Sequence, residues 1–181
     1  MIIAAYGEWW DPHLIEWGKP GPGLGGKLLG RLKDGTATDA WDQRGIYVLF
    51  QDWEVVYVGR TGQRALGARL RQHLSDDVAG RWDRFSWYGI RRINQAGGLR
   101  AAPSPTRTIK SDEAVRTLEA LLIRVTAPSL NRRRESIPEA EFVAQDTDQA
   151  PVGVRGQLAG IERKLDGLAT ALGRLQATKE P

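Results

Sequence analysis

Two short apolar stretches, Ile46 to Phe50 and Val55 to Val58, flank the turn Gln51-Asp52-Trp53-Glu54, and each carries a tyrosine beside a glycine. Gly45-Ile46-Tyr47 opens the first stretch and Tyr57-Val58-Gly59 closes the second. Runs of β-branched and aromatic residues joined by a tight turn read as a β-hairpin. Side chains alternate with a period of two, so hairpin register decides whether the tyrosines meet. A four-residue loop sets Tyr47 opposite Val58 and sends the two rings to opposite faces. A three-residue loop, Gln51 to Trp53, sets Tyr47 directly opposite Tyr57 with both rings on one face. For the rings to share a site, the turn has three residues or the hairpin carries a bulge.

The periodicity then changes. Leu66, Leu70 and Leu74 lie four apart, the spacing of a short amphipathic helix. Phe85 to Ile90 reads as a third strand, rich in aromatics. Ser111-Asp112-Glu113 offers a cap residue and acids for a helix start, and the helix runs through Val115, Leu118, Leu122 and Val125 until Pro128 stops it. The order β-β-α-β-α implies an α+β fold with a small three-stranded, mostly antiparallel sheet flanked by helices. Around it, residues 1–44 form a Trp- and Gly-rich leader that either packs on the core or recognises substrate. Residues 45–135 form the central domain, and residues 136–153 an acidic linker with few apolar positions. In 154–176, Val154, Leu158, Ile161, Leu165, Leu168, Leu172 and Leu175 mark a heptad seam, about 33 Å of coiled-coil-like helix.

Whole-chain properties narrow the functional classes. The 26 Lys+Arg against 22 Asp+Glu give a net charge of +4, a mild excess that weakly favours a polyanionic partner. No cysteine is present, which excludes disulfide frameworks and cysteine-ligated zinc and is compatible with a reducing cytoplasm. No apolar run reaches the roughly 18 residues of a membrane span, and Met1 to Glu8 lacks the basic start of a signal peptide. The chain reads as soluble and cytoplasmic.

Several polar residues stand out against this background. At 100° per residue, Glu119 falls inside the broad apolar arc of its helix, between Val115 and Ile123. A carboxylate on a buried face needs a cation, a metal or strong donors. An internal salt bridge, for instance to Arg69, would satisfy it as well as a functional role would. Arg69 and His73 are four apart and project from one side of the Leu66 helix. There the arginine's planar donors suit a phosphate, although such a pair is also compatible with an ordinary solvated face.

Taken in order, these residues resemble the GIY-YIG nuclease family. Gly45-Ile46-Tyr47 matches the first motif, and Tyr57-Val58-Gly59 the second with valine for the usual isoleucine. Arg60 matches the basic residue after it, Arg69 and His73 the arginine and the histidine four positions on, Glu119 the metal-binding glutamate and Asn131 the later asparagine. The resemblance covers about residues 44–134. It implies a metal-dependent endonuclease that hydrolyses DNA to 5′-phosphate and 3′-hydroxyl ends, in restriction, phage defence or DNA processing. Glu119 would hold Mg²⁺, with Mn²⁺ a plausible substitute, and Tyr47 would take the proton of the attacking water. Tyr57 and His73 would orient the network, Arg60 and Arg69 would bind the phosphate, and Asn131 would brace the site. A phenol with a pKa near 10 can do this only if cationic neighbours stabilise its phenolate. A non-catalytic nucleic-acid-binding module or a coiled-coil adaptor retaining the same fold is the competing reading.

Arg91, Arg92, Arg100, Arg107 and Lys110 lie in a Gly- and Pro-containing stretch without acids, and Arg132, Arg133 and Arg134 follow Asn131. These positions are candidates for phosphate-backbone contacts that steer DNA without reading its sequence. Gly21 to Lys27 imitates a phosphate-binding loop, but Leu28 stands where that motif needs Ser or Thr and no buried strand pattern precedes it, which argues against a nucleotide site. The 154–176 helix offers a surface for a homo-oligomer, for another protein or for folding back on the core. Its glycines, Gly160, Gly167 and Gly173, each cost about 1 kcal/mol relative to alanine, so it needs a partner to be stable.

Overall fold

A computed structural model of the chain describes residues 2–19, 25–104, 108–126, 137 and 139–147. In chain order its elements are β1 (Ala5–Trp10), β2 (Glu16–Gly18), β3 (Gly25–Lys27), β4 (Leu29–Arg31), β5 (Ala37–Asp39), β6 (Gly45–Gln51), β7 (Glu54–Arg60), α1 (Leu66–Gln72), β8 (Arg84–Gly89), α2 (Ser111–Thr126), β9 (Glu141–Phe142) and β10 (Ala144–Gln145). The architecture is mixed α+β. Among the described residues no helix is long and apolar enough to cross a membrane.

The main sheet has five strands in the order β7-β6-β8-β1-β9, not the three that the central segment alone implies. The expected strands β6, β7 and β8 are antiparallel neighbours. Leader strand β1 adds antiparallel to β8, and β9, from the expected linker, adds parallel to β1. β10 pairs with β4 in a second sheet of order β10-β4-β5, while β2 and β3 form a third. Alternation along short, polar-flanked strands such as β9 is too brief to read from sequence, and their partners lie far away in the chain.

The β6–β7 hairpin turns on two residues. Asp52 and Trp53 have φ of 49° and 73°, the doubly positive geometry whose twist matches that of the flanking strands. From the turn the register runs Gln51↔Glu54 and Phe50↔Val55, then slips to Leu49↔Tyr57 and Tyr47↔Gly59. Val56 is the extra residue of a β-bulge. The expected direct pairing of Tyr47 with Tyr57 is therefore replaced by a diagonal one. The bulge still restores the shared face: without it Tyr57 would fall on the opposite side.

Strand β6 alternates between two cores. Tyr47 and Leu49 join Trp10, Trp41, Phe85 and Trp87 on one face, where α1 and the segments carrying Leu28 and Val143 close the cluster. Val48 and Phe50 join Ile3, Tyr6, Tyr88 and Ala120 of α2 on the other. In β1 the register shifts between Gly7 and Trp10, with Trp9 at φ 58°. That irregularity lets Tyr6 serve the α2 side while Trp10 enters the opposite core.

The rotation of α2 is set by charge as well as by its apolar arc. Arg124 Nη1 lies 2.9 Å from both carboxylate oxygens of Glu8, and its guanidinium carbon stands 4.7 Å above the Tyr6 ring. Tyr88 donates its hydroxyl proton to Glu8 Oε1 at 3.3 Å. The Glu8 and Arg124 side chains are only 10% and 9% exposed. With Arg124, Thr117 and Ala120 turned inward, only one edge of the apolar arc meets the sheet, and Val115, Leu118 and Leu122 are exposed. Glu119, five residues before Arg124 and so roughly 140° around the helix, is exposed as well. The expectation that it lies on a buried face is not met.

Removing one partner of a mostly buried ion pair leaves an uncompensated charge. Arg124→Ala should therefore destabilise the chain by about 3–5 kcal/mol in urea unfolding, and the Glu8→Gln/Arg124→Met double variant by less than the two single losses combined.

Candidate active site

Helix α1 is short, and its start is held by backbone rather than by a capping side chain. Ala65 at the N-cap makes no side-chain hydrogen bond. Instead, the amides of Leu66 and Gly67 donate to the carbonyls of Gln43 and Trp41 at 2.9 and 3.0 Å, which satisfies donors that a helix start leaves open. Leu66 and Leu70 are buried under the sheet. The helix ends at Gln72 and His73 is its C-cap, with φ −69° and ψ −3°. Leu74, expected to continue the apolar face, is exposed. Trp82 Nε1 donates to the His73 carbonyl at 3.2 Å and ties down that end.

This frame brings His73 to Tyr47. The Tyr47 hydroxyl and His73 Nε2 are 2.7 Å apart, and His73 Nδ1 lies 2.7 Å from Asp76 Oδ2. The Tyr57 ring stacks on Tyr47 with centroids 6.1 Å apart and sits 4.9 Å from the imidazole. Arg69, half-buried on α1, places its guanidinium beside the Tyr47 phenol and also donates to Gln72 Oε1 at 2.7 Å. Arg64 donates to the same oxygen at 2.9 Å. Tyr47 and His73 are 0% and 3% exposed, so the contact is enclosed.

The motif glycines have steric roles. A Cβ on Gly59, the residue paired with Tyr47, would collide with the Tyr47 ring and hydroxyl and with the Tyr57 ring. Gly45 has φ 152°, and a Cβ there would meet the Tyr88 carbonyl. Gly59 thus provides the hollow that the Tyr47 ring crosses, and Gly45 lets β6 approach β8.

Burial pushes the Tyr47 phenol up to about 12, Arg69 works against that rise, and Tyr57 adds to it. At neutral pH Tyr47 is therefore a phenol that keeps its proton, within hydrogen-bond distance of His73 Nε2. The cation needed to stabilise a phenolate is present in Arg69, but desolvation outweighs it.

Other expected members of the site are elsewhere. Arg60 pairs with Ile46, so strand alternation directs its Cβ to the α2 face, away from Tyr47. Glu119 sits on α2, whose buried residues join Val48, Phe50 and Tyr88 on the face opposite Tyr47. Among the described residues no group of three or more His, Asp or Glu is placed to hold a metal. Glu119 does not fit as a ligand of an ion shared with Tyr47, nor as the ion-pair partner of Arg69. Arg91 directs its guanidinium to the carbonyls of Asp42, Leu99 and Arg100 and so braces the 91–100 loop. Arg92 and Arg100 line a cavity with Asp34, Glu139 and Glu141, which makes the local field mixed rather than cationic. Lys110 is exposed just before α2. Asn131, Arg107, Arg132, Arg133, Arg134 and the 154–176 seam lie outside the described residues. Asp76 was missed; its signal is a carboxylate three residues after a histidine at a helix end.

Gly59→Ala should displace the Tyr47 ring and lower stability by about 1–3 kcal/mol in urea unfolding, as overpacking does. A second expectation concerns alkaline pH. The folded chain keeps the Tyr47 proton that the unfolded chain releases above pH 10, so this stabilisation is intact below 10 and is lost as pH rises towards 12. The fall of melting temperature between pH 10 and 12 should be shallower in Tyr47→Phe than in wild type.

No protein-family model matches the chain, and neither does any curated protein or solved structure.

Proposed function

We propose that the chain is an endonuclease that hydrolyses DNA phosphodiester bonds to 5′-phosphate and 3′-hydroxyl ends, a member of the GIY-YIG type that its motifs resemble. The observation that carries this reading is the 2.7 Å contact between the Tyr47 hydroxyl and His73 Nε2, with Arg69 beside the same phenol. A proton-transfer pair next to a fixed cation is what phosphoryl transfer needs: one to accept the water's proton, the other to face the charge growing on phosphate oxygens. Arg69 offers planar donors to those oxygens, and Tyr47 orients the water for in-line attack. Because Tyr47 holds its own proton at pH 7, it can accept another only by passing the first onward. Tyr47 is enclosed, so a covering group has to move before water reaches its hydroxyl. Restriction, phage defence and DNA processing are roles in which such cleavage fits.

A divalent ion, Mg²⁺ or Mn²⁺, enters this reading as the partner of Glu119, and the described arrangement does not seat one beside Tyr47. That observation favours a second reading, a nucleic-acid-binding module that keeps the tyrosine site without turnover.

Supercoiled plasmid and single-stranded DNA, incubated with wild type, Tyr47→Phe, Arg69→Ala and Glu119→Ala in Mg²⁺ or EDTA, separate the two. Nicking by wild type that falls about 100-fold or more in Tyr47→Phe and Arg69→Ala supports the nuclease. Equal nicking by all four proteins removes the site assignment, and binding without cleavage establishes the module. Loss of activity in EDTA with Glu119→Ala still active would show that the ion has other ligands.

A further inference from the structure

We propose that Asp76 is a positioning residue of this site: it holds the Nδ1–H of His73, leaves Nε2 bare, and thereby makes His73 the final acceptor of the proton that hydrolysis removes from water. The proposal rests on the nuclease reading and adds a residue and a direction of proton flow to it.

Both ring nitrogens of His73 are engaged, Nδ1 with Asp76 Oδ2 and Nε2 with the Tyr47 hydroxyl, each at 2.7 Å. A neutral imidazole carries one proton, and an ionised carboxylate can only accept, so the proton belongs on Nδ1. Nε2 then has a lone pair, and the Tyr47 hydroxyl donates to it. Asp76 is held in turn, since its Oδ1 accepts the Val78 amide proton at 3.2 Å. The groups facing the imidazole are Tyr47 from β6, Tyr57 from β7 and Asp76 from the turn after α1, with Arg69 of α1 beyond the Tyr47 phenol. Arg69 has no acceptor and Tyr57 is a second phenol. Nε2 is the base in contact with Tyr47.

In the step, the water oxygen forms a bond to phosphorus and its proton passes to the Tyr47 oxygen, while the Tyr47 proton passes to His73 Nε2. The bond from phosphorus to the 3′-oxygen breaks. That oxygen leaves with the electron pair and takes a proton from solvent water. The imidazolium, its Nδ1–H still on the Asp76 carboxylate, later returns its extra proton to solvent. One water is consumed per bond cut. An asparagine at 76 can turn its amide N–H towards Nδ1, which selects the Nε2–H tautomer and blocks the transfer; a buried histidine loses most of its activity by the same tautomer error.

The test uses the full chain labelled with ¹⁵N-histidine, which contains two histidines, with His13→Gln identifying the second. Long-range ¹H–¹⁵N spectra at pH 8 should show wild-type His73 protonated at Nδ1 and bare at Nε2, with Asp76→Asn shifted to the Nε2–H form. On supercoiled plasmid, Asp76→Asn should lower kcat by about 100-fold or more with KM within about twofold. Asp76→Glu, which retains an acceptor, should keep more activity than Asp76→Asn. An Nε2–H tautomer in wild type overturns the proposal without needing any variant to fold. Wild-type turnover by Asp76→Asn overturns the role of Asp76 alone and leaves the nuclease standing. A wild-type chain with the expected tautomer that cuts no nucleic acid overturns the nuclease reading, and the acceptor role with it.

Discussion

The double pairing of β6 governs what can meet what in this molecule. With β7 on one side and β8 on the other, the strand cannot rotate, and its successive side chains are committed to opposite cores. Tyr47 is sent towards α1 and His73, and Val48 towards α2. The Val56 bulge then brings Tyr57 back to the Tyr47 face, whereas Arg60, three residues on, falls to the other side. A site built on this strand is therefore one-sided. α1 and the turn after it supply its partners, and residues of α2 are on the wrong side of the sheet.

The hairpin, both helices and the aromatic third strand were legible because each rests on local chemistry. β-branched residues flank a turn, leucines recur at helical spacing, and Ser111-Asp112-Glu113 marks a helix start. The shared face of Tyr47 and Tyr57 was legible too, as the requirement for a three-residue turn or a bulge, and the bulge is what the hairpin carries. The turn itself was misjudged, since Asp52-Trp53 lacks the glycine that usually marks doubly positive φ. Trp53 instead rests against Trp9, with ring centroids 5.1 Å apart, a contact that sequence order does not reveal. The packing of the leader on the core was legible in its tryptophans, but its place in the sheet and that of the acidic segment were not, because strands such as Ala144–Gln145 are too short to show a period.

Glu119 shows where periodicity stops being informative. Its apolar arc was correctly drawn, but an arc does not say which of its edges the sheet will take. Arg124 decides that by pairing with Glu8, a residue more than a hundred positions away. The pair carries a desolvation penalty and gives α2 a defined rotation, which the broad leucine face alone would leave free to slide. Asp76 was missed for a simpler reason. His-Leu-Ser-Asp is an unremarkable string, and only the C-cap geometry of His73 turns the imidazole so that one nitrogen meets the carboxylate and the other the phenol.

The strand order has a consequence for how the chain must assemble. β1 precedes the other described strands in the chain, yet its partner β8 begins at Arg84 and its other neighbour β9 at Glu141. During translation Ala5–Trp10, with two adjacent tryptophans, waits unpaired while most of the domain emerges. Closure of the sheet is a late, long-range event, of the kind that slows folding and leaves apolar edges open to other chains. The hairpin and α1, local in sequence, can form earlier, so the tyrosine pair takes shape before the sheet that supports it is complete.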